Sequence, residues 1–383
     1  MNILLISFTF SPILGGVESH LDDLCRALIK RGHKIVVITA RPTKRDVPLI
    51  ERHSDLEIRR ISWFPFSLSL FTRLENIPIL QVCYLVLPML VYCIWYLLRK
   101  RKNIDVLQAH GFNMAIVGAV LSLLFDKRLV VNTHVSFHLN RKTLYAKLLK
   151  IVLGKAVKIL VLTNVAEREL TSLGISTEKI IVYHQWIDMR LFEPKDRIKS
   201  RQKFAIKKEA FVVCFTGRLI AAKGIDLLLE VADRLDEGIL LAIVGSGLME
   251  KKIRDFAARR ENVQFIGMIA RSDLPYYYSA ANICIIPSLQ TTKTYAEGIP
   301  RVMIEAFSCG IPVAATKTGG TLELINPDVG FFAEPESRSI ARLINKLAKE
   351  KETLKTMSER CMQYARNQFD LETNVKIIEK SLY

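Results

Sequence analysis

Glu297 and Glu305 are separated by seven residues, in a stretch that reads Glu297-Gly-Ile-Pro300-Arg301-Val302-Met303-Ile-Glu305. Proline at the first position of a helix loses nothing by its missing N–H, so Pro300 predicts a helix start, with Glu297 in the preceding loop and Glu305 inside the helix. The first amides of such a helix, from Arg301, Val302 and Met303, have no partner within it and form a seat for a phosphate. Carboxylates on either side can accept hydrogen bonds from hydroxyl groups. Phosphate and hydroxyls side by side are the chemistry of a nucleotide sugar. Taken alone, the same residues also fit a surface loop and an amphipathic helix with two incidental acids.

A second set of charges lies upstream. Phe211-Val-Val-Cys-Phe-Thr216 reads as a buried strand that runs into Gly217-Arg218-Leu-Ile-Ala-Ala-Lys223-Gly224, ahead of an apolar-periodic helix at 225–235. Arg218 and Lys223 are therefore cations in a strand-to-helix loop. Two fixed positive charges beside a helix N-terminus suit a diphosphate leaving group, because they stabilise the charge that grows as a glycosidic C–O bond breaks. His110 follows Asp105-Val-Leu-Gln-Ala109, and His134 follows Arg128-Leu-Val-Val-Asn-Thr133. Both stand just beyond a strand, where open parallel sheets collect ligands, and an imidazole there can bond a sugar hydroxyl or a phosphate oxygen; a loop histidine bonded to backbone is the alternative. Gly15 and Gly16 lie between the first strand and a helix carrying Leu21, Leu24, Cys25 and Leu28 on one face. Glycines there let the backbone approach an anion closely, or they make a bare turn.

The elements that must hold these residues come in two series of alternating strands and helices, which predicts two α/β halves with parallel sheets. Strands are expected at 2–8, 35–39, 106–109, 129–132, 159–162 and 180–183, and then at 212–216, 240–244, 263–266, 283–287, 313–316 and 330–332. A chain of 383 residues has material for two cores, and 50% apolar with 24% charged residues is a folded, globular balance. The polar, basic stretch 190–208 reads as the linker. Seven cysteines without a Cys-x-x-Cys pair, most of them in apolar segments, argue against a disulfide framework or a zinc site and for buried thiols in a reducing compartment. No Lys or Arg precedes the apolar N-terminus, which reads as a strand and not a secretory signal.

Taken together, Gly217-Arg218 with Lys223-Gly224, the Glu297-x7-Glu305 pair, Pro312-Val313, and Gly319-Gly320 leading to Glu323 resemble the retaining glycosyltransferases of family 4. At the other end, Met1-Asn-Ile-Leu-Leu-Ile-Ser7 followed by Gly15-Gly16-Val17-Glu18 is similar to the family's first strand and glycine loop, and Arg31-Gly32-His33-Lys34 resembles the approach to its second strand. The resemblance covers nearly the whole chain. It implies a GT-B fold of two facing Rossmann-like domains with an interdomain cleft: an acceptor-side domain at 1–190, a nucleotide-sugar domain at 191–366, and a helix at 367–383 that crosses back to the first. It further implies Glu305 on the ribose and Arg218 and Lys223 on the diphosphate. Glu297 would orient the donor sugar, with His110 at the reaction centre and Gly15-Gly16 opposite the donor phosphates. No metal and no cofactor beyond the donor substrate are implied.

Two departures from the family pattern stand out. His184-Gln185-Trp186-Ile187-Asp188 replaces the small turn residues common after the last strand of the first domain, and the loop 290–296 is longer and more polar than usual. Neither the sugar nor the base of the nucleotide follows from the resemblance. A dinucleotide enzyme is the obvious competitor, since Val244-Gly245-Ser-Gly247 ends a strand, but the third small residue of that fingerprint is replaced by Glu250. An epimerase or phosphorylase of the same fold and a non-catalytic scaffold protein stay open as readings; the intact charged set speaks against the scaffold.

Residues 78–98 form an apolar run of membrane-spanning length followed by Arg99-Lys100-Arg101-Lys102. A single crossing would separate strands that belong to one sheet, so an interfacial or partly buried helix is expected, with a simple core helix as the alternative. Gln81, Tyr84, Pro88, Tyr92 and Tyr96 fall at spacings of three or four and would give it a polar-tipped face. Residues 1–190 carry 12 of the 17 net positive charges, which suits the anionic cytoplasmic face of a membrane. Nucleic acid, the rival partner for a basic chain, finds no recognition motif. The expected protein is a cytoplasmic, peripherally membrane-associated glycosyltransferase acting on a lipid or lipid-linked saccharide.

Overall fold

The computed structural model describes residues 1–13, 15–42, 47–62, 78–134, 143–289 and 299–383. The chain divides into two compact units, one of residues 1–184 with 372–383 and the other of residues 185–371. The divisions fall a few residues from the expected positions 190 and 366.

In the first unit, strands β1 (Asn2–Ser7), β2 (Lys34–Ala40), β3 (Ile50–Arg52), β4 (Leu56–Ile61), β5 (Val106–His110), β6 (Arg128–Asn132), β7 (Lys158–Val161) and β8 (Ile180–Val182) lie in the order β3-β4-β2-β1-β5-β6-β7-β8. All pairs are parallel except β3 with β4. Helices α1 (Gly16–Lys30), α2 (Pro78–Lys100), α3 (Phe112–Phe125), α4 (Leu144–Gly154) and α5 (Asn164–Ser172) connect them. The runs Ile3-Leu4-Leu5-Ile6 and Leu129-Val130-Val131 are fully buried, as strands covered by helices on both faces must be. Right-handed crossovers put α1 on one face and α2 to α5 on the other, because the strand order reverses at β1. Accordingly, α2, α3, α4 and α5 share one core with Leu4, Ile6, Leu107 and Ile159.

Strands β3 and β4 were not anticipated. Glu57, Arg59 and Arg60 make β4 look like a loop, yet each cation is used: Arg60 donates to the carbonyls of Pro48 and Ser11, both at 3.0 Å, and to Glu51 at 2.9 Å. The C-terminal helix, Leu371–Ser381, returns to this unit and is held by the Arg31-Gly32-His33 turn. His33 Nε2 lies 2.8 Å from Glu379 Oε1, and Arg31 Nη1 donates to Glu379 Oε2 at 2.9 Å.

In the second unit, β9 (Phe211–Thr216), β10 (Ile239–Val244), β11 (Val263–Gly267), β12 (Ile283–Ile286), β13 (Val313–Thr316) and β14 (Gly330–Ala333) form a parallel sheet in the order β11-β10-β9-β12-β13-β14. Its helices are α6 (Arg197–Lys203), α7 (Ile225–Ala232), α8 (Glu250–Ala257), α9 (Leu274–Ala280), α10 (Arg301–Ser308), α11 (Thr321–Leu324), α12 (Ser337–Lys349) and α13 (Lys351–Gln368). The segment 190–208 is no linker. It carries α6, whose buried Arg201 donates to the Ala280 carbonyl and to Asn282 Oδ1, both at 3.1 Å. A basic composition concealed a cation that neutral acceptors satisfy inside the fold.

Candidate functional site

Arg218 and Lys223 occupy the β9–α7 loop, which is fixed on two sides. Toward β10, Leu219 N–H donates to the Ser246 carbonyl and Met249 N–H to the Leu219 carbonyl, both at 2.9 Å. A Cβ on Gly247, whose φ is +156°, would fall 2.7 Å from Leu219 N, so the Gly245–Gly247 pair serves to let two backbones touch. Toward β12, Gly224 has a φ of +70° and its missing Cβ leaves room for the Pro287 carbonyl; Leu289 N–H donates to the Ala222 carbonyl at 2.9 Å. The loop with the two cations is thus clamped between neighbouring strand ends. Burial pulls the Lys223 pKa down to about 8, and the adjacent Arg218 charge adds to the effect. A cation in that position is stabilised by an arriving anion.

The strand beside it, β12, leads toward α10. The helix begins at Arg301 with Pro300 as the residue before it, one position off the expected start. Met303 N–H is not open to a ligand, because the extended Pro300 turns its carbonyl to accept that bond at 3.0 Å. Of the three amides expected to bind phosphate, those of Arg301 and Val302 remain candidates. Glu305 is buried one turn on, where its Oε2 accepts from Tyr278 Oη at 2.8 Å and its Oε1 lies 3.7 Å from Arg301 Nε. Tyr278 was not foreseen: Tyr276-Tyr277-Tyr278 in the sequence looks like core, and only the packing of α9 against α10 aims one hydroxyl at the acid. Glu297 and the loop 290–296 lie outside the described residues.

In the first unit, β5 and β6 are neighbours, with His110 opposite Asn132, and their strand ends bring His110 and His134 together. His110 Nδ1 lies 3.0 Å from His134 Nε2, and His134 in turn meets His20 edge-on at 5.7 Å between centroids. His20 Nε2 is 3.3 Å from the hydroxyl of buried Tyr183. Burial keeps both strand-end imidazoles neutral, driving His110 well below its ordinary value, with a further contribution from His134, and His134 to about 4. His110 Nε2 is buried and without a partner among the described residues. His20 was missed in the sequence; its sign is a histidine on the buried stripe of α1, beside Leu21 and Leu24. At Gly15, the space a side chain would fill holds the Glu18 carboxylate, so an acid already stands at the first turn of α1.

The polar-tipped face expected on the helix 78–98 points inward. Tyr92 Oη accepts from Arg59 Nη1 at 3.4 Å, and the Arg59 guanidinium lies 5.0 Å from the Tyr96 ring centre. The Gln81 side chain lies outside the described residues. Among the described residues, no helix is long and apolar enough to cross a membrane.

This fold is shared over nearly its full length with solved glycosyltransferases. Sucrose-phosphate synthase from Thermosynechococcus elongatus matches with a TM-score of 0.83 at 20% identity, over 99% of this chain and 97% of that one. Anabaena HepE in complex with UDP matches with 0.75 at 22% identity, over 100% and 99%. The protein is an α/β enzyme of the GT-B class. It belongs to the glycosyltransferases of the group 1 and family 4 kind: the model described as Glycosyl transferases group 1 matches residues 196–368, and that described as Glycosyltransferase Family 4 matches residues 14–191. Among its relatives, a component of the phosphatidylinositol N-acetylglucosaminyltransferase of Arabidopsis thaliana is 24% identical over 366 residues, covering 90% of this chain and 74% of that protein.

Proposed function

We propose that this glycosyltransferase moves a hexose from a nucleoside diphosphate sugar to a lipid or lipid-linked saccharide, retaining the anomeric configuration and using no metal ion. The observation that carries the donor half is Lys223, a half-buried cation, partly desolvated and beside a second cation in a loop clamped at the strand ends. A diphosphate there relieves both charges, and their fixed positions stabilise the leaving group as the C–O bond breaks. The Arg301 and Val302 amides add to this seat, Glu305 takes the ribose hydroxyls, Glu297 the sugar hydroxyls, and Gly15 and Gly16 border the phosphates. His110, whose Nε2 has no partner among the described residues, bonds the sugar near the reacting carbon. HepE has been solved with UDP and with UDP-glucose, which supports the donor class.

The acceptor half rests on the relative that by name acts on phosphatidylinositol and on the apolar, basic α2 with Arg99 to Lys102, which suits peripheral association with the cytoplasmic face of a membrane. The test is incubation with single nucleotide sugars and a polar lipid extract, followed by mass spectrometry of the organic phase. A lipid that gains one hexose supports the proposal. Interconversion of the donor without any acceptor would instead indicate an epimerase.

A further inference from the structure

Ten of the seventeen large apolar side chains exposed among the described residues fall between positions 87 and 157, whereas α1 and the C-terminal helix, on the opposite side of the same sheet, contribute none. On α2 the outward stripe is Leu87, Val91, Trp95 and Leu98, the last 69% exposed. These positions recur every three or four residues, opposite the stripe Met89, Cys93 and Leu97 that packs on the sheet. Next to α2, α3 is apolar but for Asn113 and Ser122 and ends with Leu123 and Leu124 in the open. Beyond α3, α4 shows Tyr145, Leu148 and Ile151. One layer of three helices therefore presents apolar side chains outward from each of its members. A surface of that kind in water marks a docking site.

The charges around this layer select its occupant. All three helices run toward the same end of a parallel sheet, so their C-terminal ends gather there, and the exposed cations at that end are Arg99 to Lys102, Arg128 and Lys155. The exposed acids there are Asp105, before β5, and Asp126, at the end of α3, two against six cations. Arg99 lies 4.4 Å from the centre of the Trp95 ring, an aromatic and cation pair of the sort that sits well at a headgroup boundary. Apolar side chains rimmed by cations complement an anionic lipid leaflet, where the first enter the acyl boundary and the second meet phosphates.

We propose that the outer face of α2, α3 and α4 docks as a unit on an anionic phospholipid surface. This deepens the membrane association proposed above, which needs only α2 and its basic end, by assigning contact to the α3 terminus and to α4 as well.

The test is co-sedimentation with vesicles of phosphatidylcholine alone and of phosphatidylcholine with about one part in three phosphatidylglycerol. Wild type should bind the anionic vesicles, and Trp95 emission should move to shorter wavelength, a change absent from Trp95→Phe. The variant Leu124→Ser/Leu148→Ser/Ile151→Ser leaves α2 and its cations untouched and should weaken binding by about tenfold or more at an unchanged melting temperature. Equal binding by this variant and wild type overturns the three-helix face while leaving the membrane reading intact. No binding by wild type to either vesicle overturns both. Sedimentation showing a dimer that the triple variant abolishes, with no vesicle affinity, would assign the face to a second copy of the chain.

Discussion

His110 Nδ1 faces His134 Nε2 at 3.0 Å with the two rings only 16° from parallel. Between two neutral imidazoles a single proton occupies such a contact, so one ring donates and the other accepts. The partner nitrogen of His110, its buried Nε2, then has the complementary role: acceptor if His110 donates inward, donor if it does not. His134 in this way fixes how His110 addresses a ligand. Replacing it by Phe should lower the transfer rate by on the order of tenfold while leaving nucleotide affinity as it is, a split that steady-state kinetics with direct binding measurements can show.

The same pair makes the fold acid-sensitive. Both native pKa values lie below that of an ordinary histidine, so as pH falls from about 6.5 toward about 4 the unfolded chain takes up protons that the native pair refuses. Stability from this source is complete above about 6.5 and declines below it. Urea midpoints across that interval should fall for wild type and fall less for His110→Asn/His134→Gln.

Lys223 gives a pH dependence of opposite sense to the binding step. With its free-state pKa lowered to about 8, a bound diphosphate must favour the protonated form. Affinity for a nucleoside diphosphate should hold below about pH 8 and weaken above it by up to about tenfold per unit, with proton uptake on binding near pH 8. Calorimetry in buffers of different ionisation heat reads that proton. Lys223→Ala should bind weakly and without this dependence.

Gly224 and Gly238 offer a matched comparison. Both have positive φ, +70° and +81°, but a Cβ at 224 runs into the Pro287 carbonyl whereas one at 238 meets nothing within 4 Å. Gly238→Ala should cost about 1 kcal/mol of backbone strain. Gly224→Ala should cost at least twice that, about 2–4 kcal/mol, and should displace the Lys223 loop, visible as weaker nucleotide binding.

Tyr278→Phe removes the hydrogen bond to a buried carboxylate and should destabilise the second unit by about 1–3 kcal/mol. If Glu305 also carries the ribose, nucleotide affinity falls with it. A denaturation curve and a titration on the same variant separate the two effects.

The sequence made the scaffold legible because both sheets are buried on two faces: strands such as Ile3 to Ile6 and Val212 to Phe215 appear as unbroken apolar runs. Strands near the sheet margin lack that signature: β3 is short and polar, and β4, though paired on both sides, was lost behind Arg59 and Arg60, whose partners include Ser11, Pro48 and Tyr92 far along the chain. Cation and glycine positions in the β9–α7 loop were readable from spacing, but the purpose of Gly245 and Gly247 was not, since it depends on a neighbouring strand end. Histidine positions at the ends of β5 and β6 were readable singly. Their contact, and the part of His20 and Tyr183 in it, are tertiary facts. The tyrosine face of α2 was readable from periodicity but its direction was not, because periodicity gives two faces and packing alone decides which one turns to the sheet.

The central claim is a diphosphate seat built on Arg218 and Lys223, and thermal-shift titration of wild type, Arg218→Ala and Lys223→Ala with a panel of nucleotides and nucleotide sugars, without added metal, tests it most directly. One nucleoside diphosphate and its sugar should raise the melting temperature of wild type, with little or no shift in either variant despite similar unliganded stability. No shift with any nucleotide, or an equal shift in all three proteins, would contradict it.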